Sequence, residues 1–529
     1  MHIFEALIAR AESEPDGIFC HFFRSGEYRR VSNEEIVAAA RLVAARLRAL
    51  AVPPGRVVPI VLEHRIELYA CFIGCVMAGV VPTFLPPLTR KQDPTVFRAS
   101  MSALLARIDP FCIIGSAATL PTIGSAGRPL IDLDRPAQPP AIPPLSPTIR
   151  GSETTFLQHS SGTTGLKKGV MLSHDVVLRQ IRLYTAAIDA RSDDVVASWL
   201  PLYHDMGLLT SFLMPAAVGM PIVSLDALEW VLQPTMLLDC IERFRATLCW
   251  LPNFAFHHIP RLADPDRQWN LRSLRLLVNC SEPCRSQAFD VFRARFAASG
   301  IAPETLQVSY AMAENVFAVT QTVPGRVVRR SPHSAHAAFL SSGTPLPATS
   351  LRVTDEAGGE VSDQEIGEIR IRSECLFDGY FRQPELTAQR LSHGWYATGD
   401  LGFIDHGELF VIGRKDDVLN INGRKILAHE VEDDLNALSG LTPGRILAYS
   451  HFDKEYGSNQ LIIAAERPAP PAEPDGILAA AIRHAVLASC GLSASRVILL
   501  EYGFLLKSTS GKISRQASID KIQKRYGSR

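Results

Sequence analysis

The sequence lacks an excess of charge of either sign. Its 529 residues contain 54 Lys and Arg and 54 Asp and Glu, which gives a formal net charge of zero at pH 7. Nucleic acids and anionic lipids attract proteins mainly through a surplus of basic charge. We therefore expect neither a nucleic acid nor an anionic membrane surface as a partner.

The sequence also lacks a disulfide framework and a secretory signal. Its ten cysteines are scattered, and the close pairs Cys71/Cys75 and Cys280/Cys284 have no matching second pair that would complete a zinc site. No basic stretch followed by an apolar core opens the sequence. These absences predict reduced thiols in a cytoplasmic protein.

No apolar run is both long and unbroken. Residues 68–89 carry no charge and could span a bilayer on length alone, but two glycines and three prolines interrupt them (Gly74, Gly79, Pro82, Pro86 and Pro87). A buried helix that runs into a buried strand explains this composition better than a membrane span does.

Buried strands that alternate with helical patterns indicate the fold class. The runs 57–62 and 111–115 are apolar and end at turns, as buried parallel strands do. Such alternation is typical of a doubly wound α/β architecture. Six prolines between residues 135 and 147 mark a linker, and a second α/β stretch follows to about residue 340.

The pattern changes twice after residue 340. Strand-like segments at 351–353, 368–372 and 408–412 predict a small β-rich subdomain beside the two doubly wound subdomains. A strand at 461–465 and a helix at 478–489 then predict a small α+β domain. Because the chain is too long for one compact core, we predict an N-terminal domain at 1–415 and a mobile C-terminal domain at 416–529.

The stretch 160–169 has the composition of a loop that binds a polyphosphate. Glycines let a backbone approach an anion and point its N–H groups at it, while hydroxyls add donors and lysines add positive charge. It is not a Walker A loop, because no Gly-Lys-Ser/Thr ends it. The predicted phosphate-binding residues are Ser160, Ser161, Gly162, Thr163, Thr164, Gly165 and Lys168.

The string SSGTTGLKKGVMLSH that contains this loop resembles the signature of the adenylate-forming superfamily. That superfamily comprises acyl-CoA synthetases, fatty acyl-AMP ligases, peptide-synthetase adenylation domains and luciferases. Lys167 stands where the family usually has proline, and Lys168 matches the family's phosphate-contacting lysine. The resemblance implies ATP as a substrate and Mg²⁺ as a cofactor.

Further motifs follow in the family's order and imply a nucleotide site. Asn279, Ser281, Glu282 and Pro283 match the strand and turn that lie against adenine, with Cys280 where glycine is usual. By resemblance, Tyr310 stacks on adenine and Glu314 holds Mg²⁺, while Asp400 and Arg414 bind the ribose. A single carboxylate suffices for Mg²⁺ when phosphate oxygens complete its shell.

The C-terminal motifs imply a hinge and a catalytic lysine. Asp416 matches the pivot between the domains, and Gly423 lies in the segment that serves the thiol step in the family. Lys512, in the string STSGKI, matches the lysine that enters the site for adenylation.

The acid-binding side resembles the fatty acyl-AMP ligase branch. His204, in WLPLYHDMG, matches a histidine that lies near the acyl carboxylate. Trp199, Trp250, Phe254 and Phe256 are candidates for an apolar acyl pocket, and core packing is the equally weighted alternative for each ring.

One departure from that branch leaves the thiol acceptor open. Only 28 residues (315–342) separate Glu314 from Gly343, too few for the branch's usual insertion, which is thought to hinder transfer to coenzyme A. We predict that a hydrophobic acid is activated as acyl-AMP and passed to the phosphopantetheine thiol of an acyl carrier protein. Coenzyme A as acceptor, with an acyl or aryl acid, is the rival prediction, and a non-catalytic nucleotide-binding subunit is the alternative of another class.

Overall fold

The computed structural model describes residues 3–89, 92–124, 127–135, 153–159, 167–333, 338–421, 424–436, 438–453, 457–470, 473–507 and 513–527. Several predicted site residues lie outside the described residues: Ser160, Ser161, Gly162, Thr163, Thr164, Gly165, Gly423 and Lys512. The proline-rich linker lies outside them as well, apart from Arg135.

The strands and helices of the described residues alternate along the chain. The strands are β1 (Ile18–Arg24), β2 (Glu27–Ser32), β3 (Val57–Val61), β4 (Val81–Phe84), β5 (Ile113–Gly115), β6 (Leu130–Asp132), β7 (Thr154–His159), β8 (Gly169–Ser173), β9 (Val196–Ser198), β10 (Ile222–Ser224), β11 (Leu248–Leu251), β12 (Leu276–Cys280), β13 (Leu306–Ala311), β14 (Ala318–Gln321), β15 (Thr344–Pro345), β16 (Thr349–Thr354), β17 (Gly367–Ser373), β18 (Gly379–Tyr380), β19 (Leu391–Ser392), β20 (Trp395–Asp405), β21 (Glu408–Arg414), β22 (Val418–Ile421), β23 (Arg424–Leu427), β24 (Ile446–Asp453), β25 (Ser458–Glu466) and β26 (Ala494–Leu500).

The α-helices are α1 (Glu5–Ser13), α2 (Asn33–Ala49), α3 (Glu67–Met77), α4 (Pro94–Ile108), α5 (Leu120–Ile123), α6 (His174–Ala187), α7 (Asp205–Leu208), α8 (Met214–Val218), α9 (Ala227–Leu232), α10 (Met236–Phe244), α11 (Ala255–Leu262), α12 (Ser286–Phe296), α13 (Pro384–Arg390), α14 (Ala428–Leu435), α15 (Asp475–Cys490) and α16 (Arg515–Tyr526). Among the described residues, no helix is long and apolar enough to cross a membrane. The run 68–89 forms α3 and β4, as predicted.

The first part of the chain forms two sheets, and the central strands of each sheet run parallel to one another. The larger has the order β15-β14-β13-β12-β11-β9-β10-β1-β2, and its strands from β13 to β1 are parallel. The smaller has the order β4-β3-β5-β6 and is parallel throughout. Parallel strands are covered by helices on both faces, which explains their nearly continuous apolar sequences. The predicted pair of doubly wound subdomains is confirmed.

Antiparallel structure follows, as the strand-like segments predicted. β16, β17, β20 and β19 form a sheet to which β21 adds through β20, and β18 joins β8 and β7. The last part of the chain has a hairpin, β22–β23, and a sheet of β24, β25 and β26 with its own apolar core. The predicted domain boundary between Lys415 and Asp416 lies in a single 3-10 turn, Lys415–Asp417, and stays a prediction.

Candidate active site

The candidate site lies along the carboxyl edge of the large sheet. Five neighbouring parallel strands, in the order β13, β12, β11, β9 and β10, end at this edge. Ligands of open α/β sheets bind outside the carboxyl ends of the strands. Tyr310 belongs to β13, Ser281 follows β12, Phe254 follows β11, His204 follows β9 and Trp230 follows β10. The predicted adenine residues therefore lie at one end of the row, and a group of aromatic rings lies at the other.

Asp400 joins two segments that are distant in sequence. The phenol of Tyr310 donates a hydrogen bond to its Oδ2 at 2.6 Å, and Nε of Arg414 lies 3.0 Å from its Oδ1. Arg414 is the cross-strand partner of Asp400 in the β20–β21 ladder, so the register of this hairpin sets the pair. Burial, followed by the Asp400 charge, raises the pKa of the Tyr310 phenol well above its usual value.

These contacts leave Asp400 able to accept further hydrogen bonds. A carboxylate has about four acceptor sites, and Tyr310 and Arg414 use one on each oxygen. The Asp400 charge raises the pKa of the Arg414 guanidinium, which stays cationic. The geometry suits a pair of hydroxyls such as those of a ribose, and the roles of these residues stay predictions.

Glu314 lies in a strained turn at the end of β13. The turn Ala313–Asn315 is 3-10, and the next residue, Val316, has φ +62°, which is unfavourable for a β-branched side chain. Strain of this kind persists where the surroundings hold it, often at functional sites. The carbonyl of Glu314 accepts from the amide of Phe377 at 2.9 Å, which attaches the turn to the segment before β18.

The Glu314 carboxylate is oriented by a tyrosine that the sequence analysis missed. Tyr380 donates to Oε1 at 2.7 Å, and its oxygen lies 2.9 Å from that of Tyr396. Tyr380 belongs to β18, a two-residue strand paired with β8, and so short an element leaves no periodic signal in the sequence. The other carboxylate oxygen can hold a cation, so the donor set fits Mg²⁺ in its usual mode of one carboxylate plus phosphate oxygens.

Lys168 lies next to this carboxylate, immediately before β8. Its ammonium lies 5.4 Å from the centre of the Tyr380 ring. Burial, and then the charge of Arg390, lowers the pKa of Lys168, while Glu314 opposes the shift. A cation at this place, near the end of the predicted phosphate loop, suits the binding of a phosphate chain.

Two more residues belong to this region: His159, just before the predicted phosphate loop, is buried, and Lys167, within the loop, is partly buried. Nδ1 of His159, the last residue of β7, lies 2.9 Å from the hydroxyl of Thr83 in β4. Burial, followed by the Lys167 charge, lowers the pKa of His159 to about 3, so its ring is neutral. Burial also lowers the pKa of Lys167 to about 8. Lys167 is therefore not simply a surface lysine, which the sequence left open.

The predicted adenine turn is well defined. Asn279 is fully buried and donates from Nδ2 to Oδ1 of Asn253 at 2.8 Å, which ties β12 to the turn after β11. Ser281 has φ +74°, so the chain reverses sharply before Glu282 and Pro283. The Cys280 side chain is buried in the core at the end of β12.

His204 caps a short helix at the carboxyl end of β9. It precedes α7 and its carbonyl accepts from the amide of Leu208 at 2.8 Å. A Cβ on Gly207 would lie 2.3 Å from the carbonyl oxygen of Pro201, so glycine is required for this tight turn. The turn fixes the backbone at His204, which follows β9, the strand between β11 and β10 in the sheet.

The aromatic end of the edge is a cluster of three rings. Trp199 and Trp230 lie parallel, with centroids 3.7 Å apart, and Phe254 meets both edge-on, at 64° and 67°. Phe254 is 41% exposed, whereas Trp230 is fully buried. Trp230 was not predicted, because an isolated tryptophan in an apolar stretch gives no sign of which face it occupies.

The other two predicted pocket residues, Trp250 and Phe256, make contacts within the packed core. Trp250 is fully buried and its indole N–H donates to the hydroxyl of Tyr184 at 2.8 Å. Phe256 packs against Phe289 and Phe292 of α12. Both side chains make contacts between elements, which favours core packing, and their part in an acyl pocket stays a prediction.

Asp416 lies in the turn that joins the two cores. Arg414, just before this turn, binds Asp400. Asp417, the last residue of the turn, has its carboxylate 3.4 Å from Nε of Arg515. Lys415 also reaches Glu368, at 3.4 Å, and Glu368 accepts from the amide of Gly399. The role of Asp416 as a hinge stays a prediction.

Comparison with known proteins gives consistent matches. The model of the AMP-binding enzyme family matches residues 7–381. The long-chain-fatty-acid–AMP ligase FadD26 of Mycobacterium marinum is 27% identical, over 92% of this chain and 91% of the relative. The medium-chain-fatty-acid–[acyl-carrier-protein] ligase JamA of Moorena producens is 26% identical, over 94% and 90%. A solved structure of fatty acyl-adenylate ligases from E. coli and L. pneumophila has a similar fold, with a TM-score of 0.87 and 24% identity over 100% of this chain and 99% of that one.

Proposed function

Because this chain belongs to the AMP-binding enzyme family, we propose that it activates a hydrophobic carboxylic acid with ATP and passes the acyl group to a thiol. The observation that carries the proposal is the set of contacts among Tyr310, Asp400 and Arg414, with Glu314 and Lys168 beside it. The relatives named as fatty acid–AMP and fatty acid–carrier protein ligases support the choice of substrate class.

In the proposed first step, a carboxylate oxygen of the acid attacks the α-phosphorus of ATP. A new P–O bond forms, the bond from the α-phosphorus to the bridging oxygen breaks, and pyrophosphate leaves with that electron pair. The product is a mixed anhydride, whose AMP leaves readily in the next step. No general base is required, because a carboxylic acid is already ionised at neutral pH.

Positioning and charge neutralisation carry most of the catalysis, since both reacting groups are anions. Asp400 and Arg414 hold the ribose, and Lys168 binds phosphate oxygens. Lys512, which lies outside the described residues, contacts the acid and the α-phosphate by resemblance to the family. Mg²⁺ on Glu314, when bound, neutralises charge on the phosphates.

In the second step, the sulfur of a thiol attacks the acyl carbon. The thioester forms, AMP leaves with the electron pair of the anhydride bond, and the thiol proton is released. We propose the phosphopantetheine of a carrier protein as the acceptor, in line with the name of the JamA relative. The proposal places the reaction in a reducing compartment, the cytoplasm, and all ten cysteines are free thiols.

Coenzyme A is the second candidate acceptor, and one observation favours it. The turn after Glu314 leads within two residues into β14, which pairs antiparallel with β13. Only residues 322–343 then connect β14 to β15, so the insertion that is thought to hinder coenzyme A in the fatty acyl-AMP ligase branch has no place here.

The test is a product survey by mass spectrometry. The enzyme is incubated with ATP, Mg²⁺ and a panel of fatty, aryl and short acids, with coenzyme A or a phosphopantetheinylated carrier protein. Acyl-AMP and one thioester are the expected products. If no acid gives pyrophosphate exchange while ATP still binds, the chain is a non-catalytic nucleotide-binding subunit.

A further inference from the structure

An ion pair joins the predicted adenine turn to the small C-terminal domain. Nη2 of Arg285 lies 3.0 Å from Oδ2 of Asp433, which belongs to α14. Arg285 comes two residues after Pro283, at the start of α12. The pair therefore connects the segment that lies against the nucleotide to the domain that carries Lys512.

Arg285 is held firmly on the large-domain side. The backbone on both sides of it pairs with another segment: the carbonyl of Cys284 accepts from Leu340 at 2.8 Å and the amide of Ser286 donates to Ala338 at 2.7 Å. The guanidinium also lies 5.0 Å from the centre of the Phe339 ring. Its side chain is 18% exposed, so Asp433 meets a cation that is already fixed and largely desolvated.

The small domain approaches closely at this point. His429, one turn before Asp433 on α14, lies near Gly413, where a Cβ would come within 2.7 Å of its ring. Burial, followed by the Arg285 charge, lowers the pKa of His429 to about 4, so the ring is neutral and adds no positive charge beside Arg285. Leu427 completes the contact by packing in one apolar cluster with Phe339 and Ile412.

A second, more exposed ion pair also spans the two domains. Lys425 of the β22–β23 hairpin pairs with Glu356, in the turn between β16 and β17.

We infer that Arg285 is a positioning residue, which holds the small domain in the adenylation orientation through its ion pair with Asp433. The inference rests on the proposed function. Arg285 need not touch substrate, because its effect passes through the domain that presents Lys512. The thiol step uses another orientation, in which the pair must separate.

The test is a charge exchange across the domains. Arg285→Glu and Asp433→Arg each place like charges opposite one another, and the double variant restores opposite charges. Adenylation is measured as single-turnover pyrophosphate release, and thiol transfer is measured from acyl-adenylate formed beforehand. We expect each single variant to lower adenylation roughly 5- to 10-fold, as for a partly buried pair, and the double variant to recover most of it. Thiol transfer is expected to be unchanged or faster.

A matched control is present in the same interface. Lys425 and Glu356 also pair across the domains, but their side chains are 63% and 78% exposed. Lys425→Glu is expected to change either rate by less than about 2-fold, because exposed pairs contribute little.

Each outcome separates the explanations. A double variant that is no more active than the single variants overturns the inference, and so does an equal fall in adenylation and thiol transfer, which a merely structural role would give. If the wild type forms no acyl-adenylate with any acid, the proposed function fails instead. Normal adenylation in all of the variants overturns only the role of Arg285.

Discussion

The phenol of Tyr310 and the carboxylate of Asp400 are 2.6 Å apart, although 90 residues separate them in the chain. The contact joins β13 of the large parallel sheet to β20 of the antiparallel sheet. The two sheets thus meet at the place where the nucleotide is proposed to bind, and the ribose site depends on how they pack together.

Asp400→Asn is predicted to weaken ATP binding. The amide keeps the shape of the side chain but removes the charge that Arg414 faces, and hydrogen bonds to charged groups are worth about 1.5–3 kcal/mol, or roughly 10- to 150-fold. The KM for ATP in pyrophosphate exchange measures the change. Tyr310→Phe, which removes only one neutral donor, is the control and is expected to have a smaller effect. An unchanged KM in Asp400→Asn would remove Asp400 from the nucleotide site.

Glu314→Gln is predicted to raise the Mg²⁺ concentration that is required for half-maximal activity. The amide still accepts from Tyr380, so the turn is expected to stay folded, while the anionic ligand is lost. A Mg²⁺ titration at saturating ATP gives the measurement. Tyr380→Phe leaves the carboxylate in place and is expected to shift the titration less. Equal Mg²⁺ requirements in wild type and Glu314→Gln contradict the assignment.

Lys512→Ala is predicted to reduce adenylation by about 10²- to 10³-fold, as expected for the loss of a group that stabilises the transition-state charge. Pyrophosphate exchange is the measurement, and an unchanged melting temperature would show that the fold is intact. Lys524→Ala, at an exposed position of α16, serves as the control for removing a positive charge from the same domain. Near-wild-type exchange in Lys512→Ala would refute the catalytic role.

Trp199→Ala is predicted to change the preference among acids without changing the KM for ATP. The ring belongs to the stack at the proposed acyl end of the sheet edge, so its removal is expected to alter the space for an apolar chain. Rates with a series of acids of increasing chain length measure the effect. Trp250→Phe is the matched control: it loses a buried hydrogen bond at a cost of about 1–3 kcal/mol in stability, but keeps the acid preference. If both variants shift the preference equally, Trp199 does not line the pocket.

His159→Asn is predicted to reduce the acid sensitivity of the fold. An unfolded histidine binds a proton below pH 6.5, whereas His159 in the folded protein does so only near pH 3. The unfolded state thus binds more protons between these values, and stability falls as the pH drops from 6.5. Between pH 6.5 and 5 the loss is about 2 kcal/mol, at 1.36 kcal/mol per pKa unit.

Urea unfolding at pH 7.5 and pH 5 measures this difference. Asparagine can keep the contact with Thr83 but does not titrate, so the variant is expected to lose less stability than the wild type on acidification. His451→Asn, a change at a partly exposed histidine of β24, is the control. Identical pH dependence in wild type and His159→Asn would show that His159 does not control it.

The fold and the order of the motifs could be predicted from the sequence, because both depend on local patterns. β3 and β5 are short apolar runs between turns, and α15 is periodic along its whole length, so their positions were clear. Tyr380 and Trp230 were not found, since each acts through partners far away in the chain. The hydrogen bond from Trp250 to Tyr184 was not predicted for the same reason: composition indicates that a ring is buried, but not which space it fills.

The nucleotide end and the aromatic end of the candidate site are formed by different strands of one sheet. Tyr310 and Ser281 belong to β13 and the turn after β12, whereas Trp199 and Trp230 follow β9 and β10. Substitutions that enlarge or reshape the proposed acid-binding end can therefore accumulate without changing the affinity for ATP. Such separation lets one scaffold evolve new acid specificities stepwise, while every intermediate remains able to form an adenylate.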